Sequence, residues 1–384
     1  MSNQPSPRHP MYDDATETVR EQIRRFCAAE IEPHGEAWEE DGTFPRELYL
    51  KAGAAGILGL GFPEEYGGAG GEILYYCLAR EELSRCGFAG VRVGLMAHGI
   101  GLPPILALGT EEMRQRVAPA VLSGEKIICL AISEPDAGSD VANIRTAARR
   151  DGDHYVVNGQ KTFISSGMRA DYYTVAVRTG GEGMGGLSLL LVEKGMEGFS
   201  QTELKKSGWW TSDTATLYFD DVRVPAENLI GEENHGFMGI MHNFNLERLG
   251  IVATVLGATK CCFEETARYT TQRKTFGKYL REHQVVRHKL VDMATSIQAM
   301  EAMLDAAIWK VTQGETAVPD IAMLKNFVTS AHERCASDAV QLHGGAGIIR
   351  GHKVERIFRE SKILSIGGGS TEVMKDLAAK QLGL

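Results

Sequence analysis

One apolar stripe constrains this chain more than any other feature. Val286, Leu290, Met293, Ile297, Met300, Leu304, Ile308 and Val311 follow one another at steps of three or four residues. That spacing returns to the same face at every helical turn, so it predicts an amphipathic α-helix of about seven turns. A helix so long and one-sided has to bury its face against other helices. Its methionines read as core filling. Pro319 precedes a further helix to about Val340, Gly344–Gly347 break it, and a final helix follows Gly369. From Phe237 onward the chain reads as a helical bundle of the four-helix type.

Upstream the period changes. Residues 12–128 read as helices: Val19, Ile23 and Phe26 share a face in a helix from Thr16 to Ile31, another runs from about Gly71 to Cys86, and Thr110 caps a third. Near Lys126 the pattern turns to short apolar runs: Ile127–Ile132, Tyr155–Val157, Tyr172–Val177, Leu187–Val192 and Ala215–Val224. Asn158-Gly159 after Tyr155–Val157 is a hairpin signal. Several strands in about 100 residues predict a small β-barrel or sandwich. The expected fold is α+β: an N-terminal helical domain over 1–128, a middle β-barrel domain over 129–236 and a C-terminal bundle over 237–384. A length of 384 residues suits two or three domains with a sizeable core.

Composition removes several function classes. The net charge of −9 argues against nucleic acid or an anionic membrane as the main partner. No apolar run reaches the roughly 18 residues of a membrane span. Met1–Met11 reads as a tail without signal-peptide character, which predicts a bacterial cytoplasmic protein. None of the seven cysteines are spaced C-x-x-C, so reduced core thiols are expected, with no disulfide framework and no metal site. Gly181–Gly186 matches G-x-G-x-x-G, but lies between strands with no helix after it and reads as a hairpin loop.

Ser133-Glu134-Pro135-Asp136-Ala137-Gly138-Ser139-Asp140 follows the first strand. By itself it is either a polar turn or a loop whose N–H and hydroxyl groups bind a flavin edge or phosphate. Six other stretches accompany it in order: Phe62–Gly68, Gly109–Glu112, Asn158–Ser165, Arg273–Lys278, Gln341–Gly345 and Gly369–Glu372. Together they resemble the acyl-CoA dehydrogenase family across nearly the whole chain. The resemblance implies that family's fold, one FAD per subunit, a homotetramer, an acyl-CoA substrate and an electron-transferring flavoprotein as oxidant.

By position, it implies that Leu130, Ile132, Ser133, Phe163, Ile164 and Ser165 meet the flavin, with Phe163 where many relatives carry tryptophan. Ser139 is implied at the pantetheine or phosphate region, contacting both cofactor and substrate. Arg273, Phe276, Gln341, Gly344 and Gly345 are implied to meet the FAD of a neighbouring subunit, and Gln284 to contact FAD. Arginine suits a pyrophosphate by bidentate bonding, although Arg273 alone is equally a solvated charge. Ser370, Thr371 and Glu372 open a helix whose N–H groups suit a phosphate, or form a simple cap.

The reaction implied is removal of an α-proton from a thioester with loss of a β-hydride, which needs a carboxylate base. Many relatives carry it in a Tyr-Glu-Gly-Thr-type stretch; here that stretch is Gly367-Gly368-Gly369-Ser370. A minority, the isovaleryl-CoA and long-chain types, carry it earlier in Glu-Arg-Leu. Leu246-Glu247-Arg248-Leu249 matches them. Alone, Glu247 reads as a surface carboxylate beside an arginine; the matched loss at 368 makes it the expected base. Phe244, Arg248, Gly368 and Gly369 are implied at the acyl-thioester. Glu264 and Glu265 lie about 26–27 Å further along a continuous helix. A flavin monooxygenase or oxidase on the same fold, and a non-catalytic acyl-CoA-binding protein, are the alternatives.

Overall fold

The computed structural model describes residues 9–384, apart from the side chain of His242. Residues 1–8, most of the expected tail, lie outside it. The chain opens with α1 (Asp14–Phe26), extended by a π-helical turn to Ile31. Then come α2 (Gly35–Asp41), α3 (Glu47–Ala54), α4 (Glu72–Arg85), α5 (Ala89–Leu95), α6 (His98–Gly101), α7 (Pro103–Leu108) and α8 (Glu111–Leu122). Thr110 caps α8, accepting from Met113 N–H at 3.2 Å. Eight strands follow: β1 (Ile128–Ala131), β2 (Ala147–Asp151), β3 (His154–Ser165), β4 (Tyr172–Arg178), β5 (Leu187–Glu193), β6 (Phe199–Glu203), β7 (Thr214–Pro225) and β8 (Leu229–Ile230). The remainder is α9 (Gly236–Gln272), a finger of β9 (Lys274–Thr275) and β10 (Lys278–Tyr279), α10 (Gln284–Thr312), α11 (Val318–His343), α12 (Lys353–Ile366) and α13 (Thr371–Leu382).

The apolar stripe lies on α10, where six of its residues from Val286 to Ile308 are buried and Leu290 and Val311 half-buried. The periodicity missed α12, because its buried face mixes Val354, Ile357 and Leu364 with Arg356, Glu360 and Ser361. The strands form one sheet in the order β6-β7-β3-β2-β4-β5-β8, with β1 parallel to β4. The expected hairpin at Asn158-Gly159 does not form. β3 runs straight through it with a shift of register against β7, and Asn158 is taken up by Asp221. The turn falls instead at Gly152-Asp153, between β2 and β3.

By internal contacts the chain divides into two compact units. The first comprises the residues up to Pro33, Gly71–Ala89 and Arg248–Leu384. Its core includes Cys261, Cys262, Met293, Cys335, Ala336, Ala339, Val354 and Ile357, drawn from α9 to α12. Two buried glutamates on α4 tie further helices together: Arg20 donates to Glu82 at 2.6 Å and to Glu81 at 3.2 Å, and Lys260 donates to Glu81 at 2.7 Å. Burial opposes the Glu81 charge, but Lys260 and Arg20 outweigh it and hold the carboxyl well below its ordinary pKa. The second unit, His34–Gly70 with Gly90–Glu247, holds the sheet, whose Tyr155, Val157, Tyr173, Val175, Leu190 and Leu217 are fully buried. All seven cysteines are buried free thiols. Among the described residues no single helix is long and apolar enough to cross a membrane.

Gly257 on α9 marks the closest approach to α4: a Cβ there would lie 2.0 Å from the Glu81 carbonyl oxygen. Gly257→Ala is expected to force the helices apart at a cost of about 1–3 kcal/mol. Thermal unfolding checks this; an unchanged midpoint would contradict the packing described.

Candidate active site

In the second unit, a buried ion pair organises the residues expected to meet the flavin. Lys161 on β3 has no exposed surface, and its Nζ donates to Glu134 Oε1 at 2.7 Å and to the Ile132 carbonyl at 3.0 Å. Glu134 also accepts from the Arg145 and Thr146 N–H groups at 2.6 and 2.9 Å. Thr162 N–H donates to the Ser133 carbonyl at 2.8 Å. The loop after β1 is thereby stitched to the middle of β3, which brings Ile132 and Ser133 beside the stretch that carries Phe163, Ile164 and Ser165.

That stretch is a bulge. Lys161 pairs with Leu217 and Ile164 with Ala215, so Thr162 and Phe163 together face Thr216 alone. A bulge re-aims side chains. Phe163 has φ of +62° and is 71% exposed. A large aromatic held in the left-handed region and left in solvent is strained and unburied at once, a combination that marks functional positions. Just beyond Ser165, Asp213 anchors the turn, accepting from Met168 N–H and Arg169 Nε at 2.7 Å each. Leu130, Ser133 and Ser165 are half-buried, Ile132 and Ile164 buried, and Ser139 exposed at the loop's far end.

In the first unit, Tyr269 on α9 stacks on His343 at the end of α11, with ring centroids 4.2 Å apart. The stack brings the Arg273–Phe276 end of α9 to the Gln341–Gly345 end of α11. His283 lies 3.2 Å from the Thr275 hydroxyl and joins the finger to Gln284, the first residue of α10. Arg273, Phe276, Gln284, Gln341, Gly344 and Gly345 are all exposed. No atom lies within 4 Å of a Cβ built at Gly344 or Gly345, so the backbone there is open to a ligand.

Glu247 is half-buried on α9. Arg248, the next residue, is buried and donates from Nε to the Gly368 carbonyl at 3.1 Å. The glutamate-bearing stretch and the glycine turn thus meet through Arg248. Phe244 is half-buried, and Asn243, one turn before Glu247, donates to the Ile100 carbonyl at 2.9 Å. Ser370 caps α13, accepting from Val373 N–H at 3.4 Å; Thr371 is half-buried and Glu372 exposed in its first turn. Of the rival carboxylates, Glu264 is paired with Arg85 and Glu265 with Arg268.

Sequence reasoning passed over Lys161, Glu134, Asp213 and Tyr269 as functional residues. Glu134 and Lys161 lie in stretches that carry the family resemblance, but nothing local singles either out. Burial lowers the pKa of Lys161 to about 8, with Glu134 opposing. Burial also disfavours the Glu134 charge, but Lys161 and the N–H donors outweigh it and hold that carboxyl below its ordinary value. Between pH about 8 and the ordinary lysine value of about 10.4 the native state holds fewer protons than the unfolded chain, so this lysine's contribution to stability rises with pH there. Glu134→Gln leaves a buried ammonium without its carboxylate and is expected to cost about 3–5 kcal/mol near neutrality. The loss should be smaller at about pH 9 than at about pH 6, because Lys161 sheds its proton. Denaturant unfolding at the two pH values checks the sign.

Models of the acyl-CoA dehydrogenase N-terminal, middle and C-terminal domains match residues 13–125, 129–222 and 234–383. The chain is 36% identical to the mitochondrial long-chain specific acyl-CoA dehydrogenase of Rattus norvegicus, over 97% of this chain and 87% of that protein. A crystal structure of acyl-CoA dehydrogenase from Geobacillus kaustophilus superposes with a TM-score of 0.95 at 37% identity, covering 98% of this chain and all of that one (100%). A glutaryl-CoA dehydrogenase from Mycobacterium smegmatis in complex with FADH2 superposes with a TM-score of 0.91 at 29% identity, covering 97% and 95%. The chain belongs to the acyl-CoA dehydrogenase family, FAD-dependent oxidoreductases that dehydrogenate acyl-CoA thioesters.

Proposed function

We propose that this chain oxidises an acyl-CoA to its trans-2-enoyl-CoA with Glu247 as the base that takes the α-proton. The observation that carries the reading is the Arg248–Gly368 hydrogen bond, which joins the helix bearing the glutamate to the turn that has lost one. Gly368 has no side chain to accept a proton, and Glu247 is a half-buried carboxylate, the group type suited to take an α-proton. The Gly368 N–H is a donor suited to the thioester carbonyl oxygen as it gains charge.

The residues present fit FAD. Phe163 offers an exposed ring on the bulge for a planar group, Ser165 a half-buried hydroxyl, and Gly344 and Gly345 open backbone beside Arg273 for a pyrophosphate. Leu130, Ile132, Ser133 and Ile164 would line the ring system, and Ser139 the phosphate side. Phe276, Gln284, Gln341, Ser370, Thr371 and Glu372 would complete the dinucleotide contacts, with Phe276, Gln341 and Arg273 reaching the FAD of a neighbouring subunit in a homotetramer. FAD supplies the hydride acceptor for the β-carbon. An electron-transferring flavoprotein is the physiological oxidant in this reading, and this chain's own three domains are the segments 1–128, 129–236 and 237–384.

Anaerobic mixing with acyl-CoA tests the base. Glu247→Gln should retain FAD and slow bleaching of the yellow chromophore by about 10²–10⁴-fold. Bleaching at the unsubstituted rate would reject Glu247.

The acyl group is branched or bulky in this proposal. Gly367 is exposed, and a Cβ built there meets only the Ile363 carbonyl, at 3.6 Å. Several straight-chain enzymes resembling this chain carry tyrosine there. A 2- or 3-methyl acyl-CoA should show a kcat/KM about tenfold above the straight chain of equal length, the low end of what one methyl contact contributes. A clear preference for straight chains would sink the idea.

A further inference from the structure

The turn 367–370 holds three adjacent glycines, the residue type that loses most backbone freedom on ordering. The structure nevertheless fixes it from both sides. Behind it, Gly367 N–H donates to the Ile363 carbonyl at 3.0 Å and closes α12. Ahead of it, Arg248 holds the Gly368 carbonyl at 3.1 Å, and Lys325 Nζ donates to the Gly369 carbonyl at 2.6 Å. Asn326 donates to the Thr371 carbonyl at 3.1 Å. Gly368 and Gly369 are thereby held at φ of +68° and +103°. The Gly368 N–H, bracketed by these bonds, has no acceptor among the described residues.

Lys325 is the unexpected member. It lies on α11 and is fully buried. Burying a lysine head group is costly, and the cost is recovered only through well-placed partners. A carbonyl bonded to a cation is strongly held, because the bond is charge-assisted. An oxyanion donor is effective in proportion to how little it must move when charge develops.

We propose that Lys325 is a positioning residue: its grip on the Gly369 carbonyl holds the glycine turn still, so that the Gly368 N–H is preorganised for the thioester oxygen of the substrate. The proposal rests on the dehydrogenase reading above. It explains how a turn without a glutamate side chain keeps a donor in place, and it assigns a role to a lysine outside every sequence motif.

The test compares two ligands on the FAD-loaded enzyme by flavin absorbance. A 3-oxoacyl-CoA, which can bind as its enolate, puts negative charge on the thioester oxygen; the 2-enoyl-CoA of equal length does not. In Lys325→Met the dissociation constant for the 3-oxoacyl-CoA should rise about tenfold more than that for the enoyl-CoA, a fraction of the loss on deleting a donor outright. Lys325→Gln, which keeps an uncharged N–H donor, should fall between. Equal weakening of both ligands, or of neither, overturns the proposal. Should the methionine variant not fold, the glutamine variant decides by the same ratio. The unsubstituted enzyme offers a third measure: the 3-oxoacyl-CoA should slow deuterium exchange at residues 367–370 more than the enoyl-CoA does, and equal protection also overturns the proposal. None of these readouts needs turnover. Bleaching retained in Glu247→Gln would remove the base assignment and leave the Lys325 ratio readable.

Discussion

The Lys161–Glu134 ion pair is the constraint on which the arrangement of the sheet unit's loops depends. It joins three segments that are distant in sequence: the loop after β1, the start of β2 and the middle of β3. Two full charges are taken out of water to do this, a cost offset by close pairing and by further hydrogen bonds to the remaining lone pairs and protons. Here Glu134 has three donors and Lys161 two acceptors. The outcome is a rigid seam, and the residues expected to meet the flavin lie on its two sides. Covalent distance between Ser133 and Phe163 thus matters little.

The bundle unit uses the same device at larger scale. Glu81 and Glu82 sit inside the helices and collect Arg20, Arg24 and Lys260. Such buried networks add little net stability over a well-packed apolar core, but they penalise any arrangement that separates the partners. The glycine turn has a related logic, with Arg248 and Lys325 as cations and carbonyl oxygens as their acceptors. In each place a charge is buried to hold backbone or helices in one geometry.

Much of this was legible in the residues. The stripe on α10 was plain because aliphatic side chains alone make it, and the start of α8 because Thr110 followed by acids has few other uses. Glu247 drew notice only through the resemblance, together with the glycine at 368. What stayed hidden involved polar groups doing apolar work. Arg356 and Glu360 interrupt the period of α12, so the helix was not recognised. Asn158-Gly159 has turn chemistry, yet pairing with β7 on one side and β2 on the other keeps the strand straight. Lys161 and Lys325 look like surface lysines until the chain folds over them, and no local pattern distinguishes the two cases.

The burial of all seven thiols has a further consequence. The thiolate is the reactive form, and burial raises the pKa of Cys77 and Cys261 to about 12 and pushes Cys129, Cys262 and Cys335 up as well. Cys86 departs from this pattern, because a hydrogen bond from Cys27 lowers it. Closed, the molecule is nearly inert to alkylating reagents. Each modification then records an opening event, and the cysteines lie on different elements: Cys77 on α4, Cys129 on β1, Cys261 and Cys262 on α9, Cys335 on α11. The native sequence carries its own set of clocks for local unfolding, spread over four elements, with no label engineered into it.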